Sequence, residues 1–408
     1  MSLKINIITA LVFSFVAITT QLSAQEIAFN YGFNDCTYES DGANFPGLTP
    51  LGPLTCVCGP GGQAIRMNGS GTGLTASPQA TPIMEAEGFT LDFYFSADPL
   101  TGTVDQDIFS HINRCNTLDS LVSLKYVPSE GRVLFEIGSE VNNYSSVRAA
   151  LNPNICWHRF TLVKFRLDYQ VYLDNELIKT FKSKETVEFS KNAVLSFSNS
   201  SCQGNNLRSF NGKIDEITLY RRALTPKEIK DLYLFPDQII NNNTTIVKGE
   251  TVQINTGFTC SNLPSWSPIT GLDDATSFDP IASPEETTTY AYTINDAGCV
   301  STDTLTIFVA DPENIDCSKL LLPKAFTPNN DGLNDTYGIS NPFIISGLEY
   351  FEVYNRSGAV IWQTTNALEK WDGNAFGSPS SGGMYLYKIR YRCRGEDYTD
   401  YDSFTMIR

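Results

Sequence analysis

Between Gln25 and Pro236 the chain is a succession of short runs in which apolar and polar residues alternate, each ended by Gly, Pro or Asn. A period of two marks a half-buried strand, because successive side chains leave a pleated backbone on opposite faces. In Phe89-Thr90-Leu91-Asp92-Phe93-Tyr94-Phe95 the pattern puts Phe89, Leu91, Phe93 and Phe95 on one side. Residues 160–165 and 194–197 repeat it, as sandwich strands do. Residues 171–178 predict a hairpin turning through Asp174-Asn175, two residues that tolerate the backbone of a tight turn. One helix stands out: Thr225 is its N-cap, Pro226 its first helical residue, Glu228 completes a capping box, and Leu224 with Ile229 forms a hydrophobic staple. It should stop near Tyr233, because Phe235-Pro236-Asp237 breaks the pattern.

Beyond Pro236 the composition shifts to Thr, Asn, Ser and Pro, and strand-like runs at 251–254, 288–294 and 304–309 predict a smaller β-sandwich. Asn241-Asn242-Asn243 and Asp311-Pro312-Glu313-Asn314 read as its linkers. At the other end, Lys4, the apolar run from Ile5 to Ala17 and the small residue Ala24 read as a secretory signal peptide cleaved after Ala24. The run is shorter than the roughly 20 residues of a spanning helix and no second one follows, so the mature form is expected to have no transmembrane segment. The chain thus divides into a leader at 1–24, a β domain at 25–236, a small sandwich at 237–311 and a final module at 312–408.

A length of 408 residues suits several cores rather than one. The net charge of -16, with no Lys/Arg-rich run, opposes a nucleic-acid partner. Ten cysteines in an export-targeted chain predict disulfides. Metal thiolates are the weaker reading: Cys56-Val57-Cys58 lacks a two-residue spacer, and only His111 and His158 exist to complete a site. The boundaries suggest Cys260 with Cys299 in the small sandwich and Cys317 with Cys393 in the final module. Cys36, Cys56, Cys58, Cys115, Cys156 and Cys202 would then pair within the first domain, in any of fifteen ways.

Three segments carry resemblances. Leu322-Pro323-Lys324-Ala325-Phe326-Thr327-Pro328-Asn329-Asn330-Asp331-Gly332-Leu333-Asn334-Asp335 is followed in order by Tyr354-Asn355-Arg356-Ser357-Gly358, Trp371-Asp372-Gly373, Gly383-Met384-Tyr385-Leu386-Tyr387 and a closing Met406-Ile407-Arg408. The set resembles the gliding-motility-associated C-terminal domain of Bacteroidetes, with Ser357 where members often carry an aromatic residue. The resemblance implies recognition by the type IX secretion machinery and delivery to the medium or the outer-membrane surface. Residues 210–225, with Phe210-Asn211-Gly212-Lys213-Ile214-Asp215-Glu216 at their head, resemble the closing signature of laminin-G-like, concanavalin-type jelly rolls. Trp157-His158-Arg159-Phe160 and Met67-Asn68-Gly69-Ser70-Gly71 resemble earlier parts of that family, which implies two stacked antiparallel sheets, a common carrier of carbohydrate binding and adhesion. Trp266-Ser267-Pro268, Gly271-Leu272 and residues 284–290 resemble immunoglobulin-like or PKD-like repeats, which usually act as spacers. The expected fold class is all-β: a laminin-G-like jelly roll, an Ig/PKD-like sandwich and a C-terminal β-sandwich sorting domain.

Candidate chemistry is sparse. Concanavalin-type jelly rolls also house glucanases, whose two carboxylates stand about 5–5.5 Å apart. The acidic strand here has Asp215 and Glu216 adjacent, which alternation would turn to opposite faces. No Gly-x-Ser-x-Gly elbow, His-Glu-x-x-His helix or phosphate-binding loop is present. Asp215 aligns with an acidic position that completes a structural calcium site in several jelly-roll families, and a buried Asp bonded to amides is the preferred alternative. Asn330, Asp331, Asn334 and Asp335 crowd oxygen donors around Gly332 and read equally as a calcium loop or an Asx-type turn. Trp157, Trp266, Trp362 and Trp371 read as core rather than as sugar platforms. The sequence therefore predicts a noncatalytic secreted or cell-surface protein whose jelly roll contacts a polysaccharide or a surface protein. A polysaccharide-degrading glycoside hydrolase and a structural component of the surface or motility layer are the alternatives.

Overall fold

The alternating runs of the first domain become two facing eight-stranded sheets in the computed structural model, which describes residues 26–41, 45–98, 103–115, 117, 120–140, 142–190, 193–204, 207–296, 299–311, 316–329, 333–375 and 377–408. The leader with Ala24 lies outside the described residues. One sheet runs Glu176–Lys182, Asp168–Leu173, His158–Phe165, Gly88–Ala97, Asn211–Tyr220, Gly62–Asn68 and Thr55–Gly59, with Ile27–Tyr31 also paired to Asn211–Tyr220. The other runs Asn143–Ala150, Arg132–Glu140, Leu121–Val127, Asp105–Ile112, Ser196–Phe197, Gly73–Thr75 and Thr49–Leu51, with Leu207–Ser209 parallel to Asp105–Ile112.

Phe89, Leu91, Phe93 and Phe95 all enter the core between these sheets. The Phe93 ring lies 5.5 to 6.2 Å from those of Phe95, Phe109, Phe160 and Phe197, so both sheets meet around it. Each such ring contributes about 1.5–3 kcal/mol by leaving water. The hairpin turns through Asp174 (φ 50°) and Asn175 (φ 68°), and Asp174 is fixed there by the Arg159 amide and His158 Nδ1, each at 2.8 Å.

The helix is Pro226–Asp231, and its capping box between Thr225 and Glu228 is formed. Leu224 and Ile229 bury against Val163, Tyr172 and Tyr220 on the outer side of the first sheet. Beneath the helix lies Arg159, 1% exposed, donating to Asp92 at 2.7 to 3.1 Å, to Asn175 Oδ1 at 3.1 Å and to the Ile229 carbonyl at 2.6 Å. The guanidinium therefore ties strand, hairpin and helix together.

The middle sandwich has a sheet of Thr244–Val247, Cys299–Ala310, Thr288–Asp296 and Ser265–Ser267, faced by Val252–Gln253 with Ile281–Ala282. Asn241 and Asn243 do not behave as linker. Asn241 bonds to Gln253 and Asn255, and Asn243 accepts from the Thr306 amide, so both are stitched into the sandwich. Of the other expected linker, residues 312–314 lie outside the described residues. The last module is a five-stranded sheet of Ala325–Phe326, Glu396–Met406, Gly383–Cys393, Gly347–Tyr354 and Val360–Thr364. Tyr337, stacked on Phe404 at 3.5 Å, and Trp371 fill its core, while Trp157 and Trp266 are buried in theirs and Trp362 packs against the last core.

All ten cysteines are bridged, and the pairing corrects the sequence expectation twice: Cys260 and Cys299 are not partners, and Cys58 and Cys156 do not pair within the first domain. Cys36–Cys56 and Cys115–Cys202 lie within the jelly roll, and Cys317–Cys393 closes the last module. Cys260 and Cys299 do not pair with each other. Cys260 joins Cys58 and Cys299 joins Cys156, so both bridges cross from the jelly roll to the middle sandwich. The reason is a close joint: Lys213 pairs with Asp296 at 2.7 Å, its ammonium sits over the Trp157 ring, and Ser301 and Thr302 both donate to the Asn154 carbonyl. Cys156, Trp157 and Tyr94 pack with Cys299 and Tyr233 in one apolar cluster.

Candidate binding cleft

The second sheet turns Val122, Leu124, Tyr126, Val133, Phe135 and Ile137 into the core, so alternation presents Ser123, Lys125 and Glu136 on its outer face. A cleft of about 790 Å³ opens there, lined by Asp105, Arg114, Ser123, Lys125, Glu136 and Gln203, with the Cys115–Cys202 bridge in its wall. That bridge ties two loops that are 87 residues apart in sequence, which gives the cleft a fixed side.

Lys125 pairs with Glu136 at 2.5 Å, and Glu136 also accepts from the Tyr144 hydroxyl at 2.8 Å and from Ser123 at 3.4 Å. Glu136 is thus fully engaged. Desolvation pushes the Asp105 carboxyl above its usual range, with Lys125 pulling the other way. No aromatic ring lines the cleft among the described residues, in keeping with tryptophans that are spent on cores.

Under the Cys115–Cys202 loop lies Asp107, fully buried, its Oδ2 accepting from the Ser200 amide at 2.8 Å and its Oδ1 without a partner. Burial raises this carboxyl to about 7. Sequence reading missed both Asp105 and Asp107. A strand that reads as core on both faces hides its acids, and only the pairing of Asp107 with Lys125 shows that they share the cleft side. Neither histidine reaches the cleft. His111 stacks on Phe189 at 3.8 Å, and burial lowers its pKa to about 4.

The Asp215–Glu216 pair departs from simple alternation. A bulge between Asp215 and Thr218 and the left-handed backbone of Glu216 (φ 52°) bring both carboxylates to the same glycine turn. Asp215 Oδ2 accepts from the Gly61 amide at 3.0 Å and Oδ1 from the Glu216 amide at 2.8 Å, while a Cβ on Gly61 would sit 1.8 Å from Glu216 Oε1. A side chain at 61 would have to displace the Glu216 carboxylate. Burial raises Asp215 to about 8, the Gly61 amide opposing and Glu216 adding; burial also raises Glu216, helped by Asp41. Among the described residues no set of three or more His, Cys, Asp or Glu side chains is arranged as a metal cluster. In the last module Asn330 and Asp331 lie outside the described residues. Asn334 is left-handed (φ 54°) with its carbonyl accepting from the Thr327 amide, and Asp335 Oδ1 accepts from the Asn329 amide at 3.0 Å.

These features define an all-β protein whose first domain is a lectin-type jelly roll. Residues 68–230 match the model of the concanavalin A-like lectin/glucanases superfamily, and residues 320–407 match the type IX secretion signal domain. The chain therefore carries a laminin-G-like domain and a type IX sorting domain, the latter implying contact with the secretion machinery. No curated protein matches it. Among solved structures it is similar to domain 4 of AbnA, an extracellular arabinanase of Geobacillus stearothermophilus in complex with arabinotriose (18% identity, 51% of this chain, 98% of that one, TM-score 0.42). It is also similar to a botulinum neurotoxin type C structure described with two ganglioside molecules (12%, 94%, 93%, 0.44) and to the Ruminococcus gnavus IT-sialidase CBM40 bound to α2,3 sialyllactose (18%, 41%, 95%, 0.34).

Proposed function

We propose that the protein is a noncatalytic glycan-binding protein of the cell surface or medium, and that the cleft over the second sheet holds the sugar. The observation that carries this reading is the charged, ring-free cleft with Asp105 desolvated and Glu136 already tied to Lys125. A half-buried carboxylate without hydrogen-bond donors gains most from a pair of sugar hydroxyls. Without an aromatic platform, recognition would run through hydrogen bonds and charge, which disfavours flat β-linked glucans that stack on rings.

The same geometry argues against hydrolysis. Asp105 and Glu136 stand on strands separated by Leu121–Val127, which puts their backbones at least two steps of about 4.8 Å apart. The Lys125 ammonium holds a Glu136 oxygen that a catalytic carboxylate would need free for water or sugar. Binding of the full chain to a glycan array should be lost in Asp105→Ala and weakened at least tenfold in Lys125→Ala, with no reducing ends released from the same polymers. Release of sugar that disappears in Glu136→Gln would overturn the noncatalytic reading; unchanged binding in both cleft variants would remove the site.

Calcium is proposed as a structural ion of the jelly roll. Both Asp215 oxygens and Asp41 Oδ2 already accept amides, so Glu216 and the second Asp41 oxygen, beside Gly32, would supply the hard oxygen donors left over. The pKa values give a test of sign. Asp215 (about 8), Asp107 (about 7) and Asp237 (about 6) hold protons in the folded state that the unfolded chain, near 3.8, has released. Their contribution to stability is present at low pH and lost as pH rises from about 4 to 8. The melting temperature in EDTA should fall between pH 6 and 8.5, and calcium should restore it at the upper end. A flat profile with no calcium response, or a response that persists in Glu216→Gln, would reject the ion at this place.

A further inference from the structure

The two bridges between the jelly roll and the middle sandwich interleave in sequence: Cys58–Cys260 spans 202 residues and Cys156–Cys299 spans 143. In an unfolded chain the chance of closing a loop falls as about the 3/2 power of its length. Cys260 and Cys299 are only about 39 residues apart, so their encounter is favoured about twelvefold over the first native bridge and about sevenfold over the second. Cys58 and Cys156 also precede both native partners in the chain, so their first bonds are with each other or with Cys36, Cys56, Cys115 or Cys202. Local chemistry therefore leads first to a pairing that the folded protein does not have.

Two features of the fold then select the native pairing. The joint of Lys213, Asp296, Trp157 and Asn154 forms only when both sandwiches have folded, and it brings the native partners to Cα separations of 5.6 and 5.9 Å. Cys56 and Cys58 lie two residues apart on one strand, hence on one face, with Cys56 bridged to Cys36. A thiolate at either position is within reach of the disulfide at the other.

We infer that the mature protein is reached by thiol–disulfide isomerisation across the joint, and that this exchange precedes passage through the type IX machinery. The first bonds form as a disulfide-donating oxidase accepts two electrons for each pair of thiols. The later step is redox-neutral. A catalytic thiolate attacks the Cys260–Cys299 bond and forms a mixed disulfide at Cys260, which releases Cys299 as thiolate. Cys299 attacks a Cys58–Cys156 bond at Cys156, and the freed Cys58 thiolate displaces the catalyst from Cys260. The products are Cys156–Cys299 and Cys58–Cys260, with the catalyst thiolate returned and no net electron transfer.

The inference rests on the export assignment only for its order relative to translocation; the pairing chemistry is tested separately. Reduced, unfolded full-length protein is refolded in a glutathione buffer with and without a protein disulfide isomerase, and peptides are mapped by mass spectrometry over time. A Cys260–Cys299 peptide should appear early, then give way at least fivefold faster with the isomerase, and should persist when oxidation is completed by copper in the absence of free thiol. Appearance of the two crossing bridges first, at equal rates with and without isomerase, would overturn it. In cells, loss of the disulfide isomerase of the oxidising compartment should trap the wild-type chain inside, while the Cys58→Ser, Cys156→Ser, Cys260→Ser, Cys299→Ser chain should reach the surface in either background. Normal surface delivery of wild type without the isomerase would sever the link to export, whatever the refolding arm gives.

Discussion

Asp92→Ala is expected to lower the stability of the jelly roll by about 3–5 kcal/mol, because it leaves the Arg159 guanidinium buried with no counter-charge. Arg159 has almost no access to water, and its remaining partners, Asn175 and the Ile229 carbonyl, are neutral. The loss should appear in the transition that melts the Pro226–Asp231 helix, since that helix is held to the sheet through Ile229. Replacing both partners, as in Asp92→Leu with Arg159→Met, removes the charge as well as its mate and should recover most of the stability. Calorimetry of the three proteins checks this; a single variant as stable as the parent would mean that the pair is solvated and the helix held by apolar contacts alone.

Removing the crossing bridges should have the second largest effect. Cys156→Ser with Cys299→Ser opens a closure of 143 residues and is expected to cost about 2–5 kcal/mol. The cost should take a particular form. With both bridges in place the jelly roll and the middle sandwich are expected to melt together; with Cys58, Cys156, Cys260 and Cys299 all replaced, they should melt in two separate transitions. Two resolved transitions in the unmodified protein would show that the joint does not couple the sandwiches.

Much of the fold is legible in the sequence because its signals are local. The Phe89 to Phe95 alternation, the Asp174-Asn175 turn and the Thr225 to Glu228 capping box each depend on residues within a few positions of one another, and each is found in place. What escapes a linear reading depends on partners far along the chain. The cysteine pairing follows from how two sandwiches dock, which no spacing rule contains. The convergence of Asp215 and Glu216 on Gly61 follows from a bulge that breaks the alternation used to separate them. The cleft is assembled from three neighbouring strands and two loops joined by Cys115–Cys202, so none of its acids stands out in its own segment.

The position of one bridge also fixes how tension would pass through the molecule. Cys299 is the first residue of the strand Cys299–Ala310, and the chain leaves that strand at its far end toward the sorting module. A polymer tugging on the jelly roll while the other end is anchored would pass its load along this strand's own backbone and through the Cys156–Cys299 bridge. The load then travels on covalent bonds and leaves the rungs of the middle sheet unstrained, so dragging does not unzip the middle sandwich.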